Sequence, residues 1–184
     1  MVQTNVSLAN HTTLHVGGPA AQFARVGTVE ELQEAITYSK VHNLAVCVMS
    51  GGSNMLFSDV GWDGLIIKND ITGTAFVDRE EKVEAAVGAG EVWDDFVATC
   101  AHRDLWGVEN LSAIPGNVGA TPIQNVGAYG VEVRTLITWV DALDMRTNEL
   151  RRFTNKECTF AYRDSFFKTE EGRNFIVTQV CFEL

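Results

Sequence analysis

The sequence lacks a long apolar run and a basic amino-terminal segment, and each absence excludes a class of protein. No apolar stretch approaches the ~20 residues of a membrane-spanning helix. The first fourteen residues, MVQTNVSLANHTTL, contain neither a basic cluster nor a following apolar stretch, so they do not have the form of a secretory signal. We therefore predict a cytoplasmic protein with no membrane partner.

Basic residues are also few. The chain has 14 Lys and Arg against 24 Asp and Glu, a formal net charge of -10. This balance opposes non-specific attraction to nucleic acid, and we predict no nucleic-acid partner. An anionic ligand would therefore have to be held by local features of the chain.

Closely spaced metal ligands are missing as well. The cysteines form no CxxC pair, and the dispersed histidines form no HExxH motif. We predict no metal site, and we interpret the thiols as buried and free. The cysteines are Cys47, Cys100, Cys158 and Cys181.

Two helices are predicted in this chain of 184 residues, of which 46% are hydrophobic. Thr28-Val-Glu-Glu31 has the form of a capping box, so a helix should begin there, and it should end near Asn43. A second helix is indicated by an apolar stripe at helical spacing. The stripe consists of Trp93, Phe96, Val97, Cys100 and Ala101.

Strands are predicted from two kinds of pattern. The continuous apolar runs 44–49 and 64–68 favour strands that are buried on both faces. Segments rich in β-forming residues, separated by short polar turns, favour two antiparallel hairpins and a closing strand. The hairpins are 73–78 with 82–87 and 138–145 with 150–153, and the closing strand is 175–182.

This order of elements predicts an α+β fold rather than a doubly wound sheet. The apolar strand 64–68 is followed by polar, turn-forming residues between Asn69 and Thr74. We expect the chain to divide there, into residues 1–70 and 71–184.

The first segment that could carry chemistry is Ser50-Gly-Gly-Ser-Asn54. Consecutive glycines permit positive φ angles, and small side chains let backbone N–H groups approach an anion such as a pyrophosphate. A tight turn without a ligand remains the alternative. No GK[ST] follows, which excludes the P-loop of a nucleoside triphosphatase.

The second segment, Ser112–Gly130, is rich in glycine, alanine and proline and carries no formal charge. A solvated loop is normally polar, whereas a chain of small uncharged residues lets the backbone press against a flat ligand or another loop. A close-packed structural crossover is the alternative.

The third segment is Phe160–Lys168, where Arg163 lies among aromatic residues and beside Asp164. We expect this arginine to be partly buried. Its guanidinium could bind a carboxylate or phosphate through two points, and an Arg–Asp pair that anchors the loop is the alternative.

Together with Asn10–Gly18, these segments resemble the UDP-N-acetylenolpyruvoylglucosamine reductase family, flavoenzymes of bacterial peptidoglycan synthesis. The motifs are NHTTLHVGG, SGGSN, IPGNVGATPIQNVGAYG and YRDSFFK, and they cover nearly all of the chain. The resemblance implies a two-lobed FAD-binding unit of the vanillyl-alcohol-oxidase (PCMH) type. Its lobes would be residues 1–70 and 71–184.

The resemblance also implies bound FAD and an NADPH-driven reduction of the UDP-sugar substrate to UDP-N-acetylmuramate. Arg163 would be the catalytic residue that holds the enolpyruvyl carboxylate and stabilises developing charge, and Tyr162 would shape the wall of the substrate site. The pyrophosphate of FAD would contact Gly51, Gly52, Ser53 and Asn54. The flavin and ribityl side would be lined by Pro115, Gly116, Asn117, Gly119, Ala120, Gln124, Asn125 and Gly127.

Members of this family continue into a further, substrate-binding domain, which supplies a serine that protonates the intermediate and a glutamate that assists it. The sequence ends before such a domain, so we expect FAD binding with an exposed ring and little reductase activity from this chain alone. A non-catalytic flavin-binding module completed by another chain is the alternative, although no particular protein partner is predicted. An oxygen-using oxidase is a third interpretation, and the arginine motif argues against it.

Overall fold

The first part of the chain forms a four-stranded mixed sheet that is covered by one helix. In the computed structural model, which describes residues 2–184, the chain divides into two units that meet at Ile71 and Thr72. The sheet of the first unit has the strand order β1-β2-β4-β3, with β1 antiparallel and β3 parallel to their neighbours. Its elements are β1 (Val2–Ser7), β2 (Pro19–Val26), α1 (Val29–Val41), β3 (Val46–Met49) and β4 (Trp62–Asn69).

The position of each strand in this sheet determines its burial. Gly64–Ile67 in the interior strand β4 is fully buried, as predicted for a continuous apolar run. The prediction for 44–49 was wrong in two respects: β3 begins only at Val46, and Val46–Val48 is half-buried. The reason is that β3 is an edge strand, so one side has no neighbouring strand.

The burial of the cysteine thiols also depends on where each residue lies in the fold. Cys100, Cys158 and Cys181 are buried and free as predicted, but Cys47 on the edge strand is only half-buried, so the prediction was wrong there. Burial raises the pKa of the Cys100 and Cys158 thiols to about 12, because the charged thiolate is poorly solvated. These two thiols are therefore protonated at neutral pH.

The predicted capping box forms at the start of α1. The Thr28 hydroxyl accepts a hydrogen bond from Glu31 N at 3.2 Å, and the Glu31 carboxylate accepts one from Gly27 N at 2.6 Å. The first bond satisfies a backbone donor that the helix end leaves unpaired, and the second binds the residue that precedes the N-cap, Gly27, rather than Thr28 itself. The helix then buries Leu32 and Ile36, as the apolar spacing predicts.

The second unit is built on a five-stranded antiparallel sheet. Its order is β10-β9-β11-β6-β5, with the closing strand β11 in the middle, and β7 and β8 form a separate small hairpin. The elements are β5 (Thr74–Arg79), β6 (Lys82–Gly88), α2 (Trp93–His102), α3 (Thr121–Gln124), β7 (Gly127–Ala128), β8 (Val131–Glu132), β9 (Ile137–Asp144), β10 (Glu149–Thr154) and β11 (Phe175–Glu183).

Both hairpins, the closing strand and the second helix are confirmed. In α2 the side chains of Trp93, Phe96, Val97 and Cys100 are buried, but Ala101 is exposed, contrary to the predicted stripe. At 100° per residue Ala101 lies about 80° around the helix from Trp93, at the edge of the apolar face. Within residues 2–184, no helix is long and apolar enough to cross a membrane.

We predict that Thr28→Ala destabilises the protein by about 1 kcal/mol, because Glu31 N loses its capping acceptor. Urea unfolding followed by circular dichroism measures the change. Thr37→Ala on the exposed face of the same helix is the matched control and should change stability by less than about 0.5 kcal/mol. Equal effects of the two substitutions would show that the cap does not stabilise α1.

Candidate functional site

The loop Ser50–Asn54 directly follows β3 and is shaped by a close backbone contact. Gly52 is buried and has a φ of +67°, and a Cβ atom on it would lie 2.1 Å from the carbonyl oxygen of His11. Thr13 N also donates a hydrogen bond to Gly52 O at 3.4 Å. Only glycine fits this position without moving the backbone. Of the other predicted residues, Ser53 is half-buried, and Gly51 and Asn54 are exposed.

A lysine holds the entrance of this loop. Lys68 Nζ donates a hydrogen bond to Ser50 O at 3.0 Å and pairs with the Asp70 carboxylate at 3.1 Å. Arg25 pairs with the same carboxylate at 2.8 Å. Sequence reasoning missed Lys68, and the available signal was a lysine that ends the buried run Gly64–Lys68.

The same two cations affect a nearby histidine. The ring of His11 stacks on Phe23 at a centroid distance of 4.6 Å. Its pKa lies below the usual 6.5, first because of burial and then because of the positive charges of Lys68 and Arg25. His11 is therefore neutral at pH 7, and its lowered pKa shows that the surroundings disfavour positive charge on the ring.

The second glycine-rich segment packs against the connection between β6 and α2. Gly116 O accepts a hydrogen bond from Trp93 N at 3.0 Å, and Gly119 N donates to Ala89 O at 2.9 Å. A Cβ atom on Gly119 would lie 2.6 Å from the Cβ of Ala89. This half of the segment thus has the close-packed backbone that the structural alternative described.

The predicted residues of this segment differ in burial. Three of them are buried, and their side chains or backbone contact the protein interior, whereas the others reach the surface. The buried residues are Asn117, Gly119 and Asn125, the half-buried ones are Gly116, Ala120, Gln124 and Gly127, and Pro115 is exposed.

The side-chain amides of the two buried asparagines bind protein groups. Asn117 Nδ2 donates to Gly90 O at 2.7 Å. Asn125 is only 1% exposed, with a φ of +42°, and its Nδ2 donates to Ala161 O at 2.8 Å. Its Oδ1 accepts a hydrogen bond from Arg134 N at 3.2 Å. The Asn125 side chain therefore links the glycine-rich segment to the segment that carries Arg163 by a hydrogen bond.

Arg163 lies at the tip of a tight turn. Ala161 and Asp164 exchange two backbone hydrogen bonds of 3.0 and 3.1 Å, so Tyr162 and Arg163 form the tip, where Arg163 has a φ of +54°. Both side chains are exposed, so the prediction of a partly buried arginine was wrong: a two-residue turn projects its side chains outward. Lys168 Nζ donates to Arg163 O at 2.6 Å and holds this turn.

The alternative interpretation, a loop-anchoring pair of Arg163 with Asp164, is not what the structure contains. The Asp164 carboxylate accepts a hydrogen bond from Ser165 N at 2.9 Å instead, and among residues 2–184 no ion pair of Arg163 is found. The turn is anchored on its other side by the Ser165 hydroxyl, which donates to Ile123 O at 2.8 Å. The guanidinium is left available to a ligand.

The sequence and fold define a flavoprotein domain. The chain belongs to the family of FAD binding domains, whose model matches residues 20–154. Over its whole length the chain is similar to two curated proteins named UDP-N-acetylenolpyruvoylglucosamine reductase. It is 40% identical over 185 residues to that of Flavobacterium johnsoniae and 44% identical over 186 residues to that of Pseudomonas syringae pv. tomato. The predicted resemblance is confirmed, and the chain spans about half the length of these relatives, 54% of each.

Solved structures confirm the predicted fold class. The chain is similar to the reductase of the same name from Thermus caldophilus, with a TM-score of 0.77 and 28% identity, covering 99% of this chain and 62% of that one. p-Cresol methylhydroxylase, with a TM-score of 0.63 and 17% identity, shares the fold over 91% of this chain and 36% of its own. The chain therefore has the α+β fold of the vanillyl-alcohol-oxidase (PCMH) type.

The residues present fit FAD, as the family assignment requires. Gly52 brings the backbone of the first loop closer to a neighbouring carbonyl than a side chain would allow, which suits a loop whose main-chain amides hold an anion. Within the part of the chain that the structure describes, no group of three or more His, Cys, Asp or Glu side chains is arranged to hold a metal ion.

We predict that Asn125→Ala destabilises the second unit, because Arg134 N loses its acceptor and Ala161 O keeps only the hydrogen bond from Asp164 N. The matched control is Asn5→Ala, at an exposed asparagine that also has a positive φ, of +57°. Both substitutions lose the ease with which asparagine adopts a left-handed conformation. We expect Asn125→Ala to cost about 1 to 3 kcal/mol more than the control in urea unfolding.

Equal losses in the free energy of unfolding would show that the hydrogen bonds of Asn125 do not link the two segments. Hydrogen exchange of the amides of residues 160–165 is a second readout, and it should be faster in Asn125→Ala only.

Proposed function

We propose that this chain is the FAD-binding part of an NADPH-driven reductase that converts UDP-N-acetylenolpyruvoylglucosamine to UDP-N-acetylmuramate in peptidoglycan synthesis. The observation that carries the proposal is the similarity, over the whole chain, to curated reductases of that name. The resemblance assigns the cofactor contacts to the two glycine-rich segments, of which one lies in each unit. The units would be the two lobes of the FAD-binding part.

The pyrophosphate of FAD would be held by the amides of Gly51–Asn54, and the flavin and ribityl side by residues 115–127. In the first loop this assignment rests on the fixed conformation of Gly52. In the second segment, the buried side chain of Asn125 orders the backbone that would face the cofactor. When bound, FAD supplies a carrier that takes a hydride from NADPH and passes it to the substrate.

Arg163 would bind the enolpyruvyl carboxylate of the UDP sugar, beside Tyr162. A guanidinium matches the two oxygens of a carboxylate, and its exposed position leaves both N–H edges accessible. The backbone of this turn is held by the hydrogen bonds from Lys168 to Arg163 O and from Asn125 to Ala161 O. Such preorganisation lets the positive charge stabilise negative charge that develops on the substrate without a further ordering cost.

The partners in this proposal are small molecules, the UDP sugar and NADPH, and the location is the cytoplasm. Because the chain carries a formal net charge of -10, binding of these anionic ligands depends on local donors rather than on the overall field. No nucleic-acid, membrane or protein partner is part of the proposal.

We predict that the purified chain binds FAD and that Gly52→Ala weakens binding at least about tenfold, since the added Cβ would meet His11 O at 2.1 Å and displace the loop. Titration of the apo-protein, followed by flavin fluorescence and calorimetry, measures both dissociation constants. A matched control is Gly73→Ala, at a glycine with a φ of +116° but no atom within 4 Å of the added Cβ.

Gly73→Ala should leave the FAD dissociation constant unchanged, because it adds only backbone strain. Wild-type affinity in Gly52→Ala would contradict the assignment of the first loop, and a wild-type chain that binds no FAD would contradict the proposed function. Consumption of NADPH that depends on the UDP sugar supports the reductase activity, whereas FAD binding without it limits the chain to flavin binding.

A further inference from the structure

We propose that Lys68 is a positioning residue for the FAD pyrophosphate, acting through the carbonyl of Ser50 at the entrance of the Ser50–Asn54 loop. The proposal rests on the proposed function, since it assigns the pyrophosphate to that loop. It concerns a side chain that lies on β4, outside both glycine-rich segments.

The strand register explains why this lysine reaches the loop. Lys68 on β4 is directly opposite Met49, the last residue of β3, and the chain enters the loop one residue later. The Lys68 side chain is 15% exposed, and a buried ammonium group is costly unless it is paired. Its two partners are Asp70 and Ser50 O, so the carbonyl of the loop is part of what keeps this charge stable.

The hydrogen bond from Lys68 to Ser50 O orients the whole peptide group that follows Ser50. A peptide group is planar and trans, so the direction of the Ser50 C=O bond also sets the orientation of the amide plane that Ser50 shares with Gly51. One residue further on, Gly52 is fixed by its contact with His11 O and by the hydrogen bond from Thr13 N. The loop is thus held at two nearly adjacent points, which lowers the ordering cost of binding an anion.

The charges around Lys68 are consistent with an anion at this loop. Lys68 and Arg25 share the carboxylate of Asp70, so these three groups carry one excess positive charge in a chain with a formal net charge of -10. The pKa of His11 is lowered mainly by burial and then by the charges of Lys68 and Arg25, which the Asp70 carboxylate opposes.

The test compares FAD with riboflavin, which has the same ring system but no pyrophosphate. In Lys68→Met we expect the FAD dissociation constant to rise about tenfold, the effect of losing one charge-assisted hydrogen bond, while riboflavin affinity stays unchanged. Lys68→Arg keeps a charged donor and should recover most of the FAD affinity. Calorimetry measures both ligands on apo-protein whose fold has been checked by circular dichroism.

Arg25→Met is the matched control, because it removes the same charge from the same carboxylate without touching Ser50. It should weaken FAD binding less than Lys68→Met does. Equal losses in the two variants would overturn the proposal in favour of net charge, and equal losses of FAD and riboflavin in Lys68→Met would overturn it in favour of general disruption.

If Lys68→Met does not fold, the comparison of Lys68→Arg with Lys68→Gln decides: the uncharged variant must bind FAD more weakly, and equal affinities overturn the proposal. Failure of the wild-type chain to bind FAD is a different outcome, and it contradicts the proposed function itself.

Discussion

The contact between the backbone of Gly52 and the carbonyl of His11 is the constraint on which the candidate site depends. With 2.1 Å between that oxygen and the place of a Cβ atom, the loop can follow its path only with glycine. The second unit has a parallel case, where a Cβ atom on Gly119 would lie 2.6 Å from the Cβ of Ala89. In the first unit this leaves the loop without bulky side chains, so an acidic chain can offer main-chain donors to an anionic cofactor. In the second unit Gly119 N already donates to Ala89 O, so that contact orders the segment.

Local signals in the sequence predicted a large part of the fold. The capping box at Thr28 and the two hairpins depend on residues close together in the chain, and they form as expected. Strands β1 and β2 were not predicted: β1 is mostly exposed and has no alternating pattern, and β2 is stabilised by parallel pairing with the distant β4. The half-burial of β3 follows from its edge position, which is a property of the sheet and not of the segment.

The candidate site was predictable to the extent that its composition is unusual. Two glycine-rich segments without formal charge stand out in any reading of the sequence, and the motif around Arg163 completes the resemblance. The groups that hold these segments in place could not be predicted in the same way, because Lys68 and Asn125 bind backbone carbonyls that only the folded chain brings to them. Exposure of Arg163 was missed because it depends on the two-residue turn between Ala161 and Asp164.

A crystal structure of the chain with bound FAD would locate the pyrophosphate oxygens relative to the Ser50–Asn54 loop. We expect these oxygens about 3 Å from main-chain nitrogens of residues 51–54, with Lys68 Nζ still bonded to Ser50 O. A pyrophosphate bound by lysine or arginine side chains, away from this loop, would contradict this expectation.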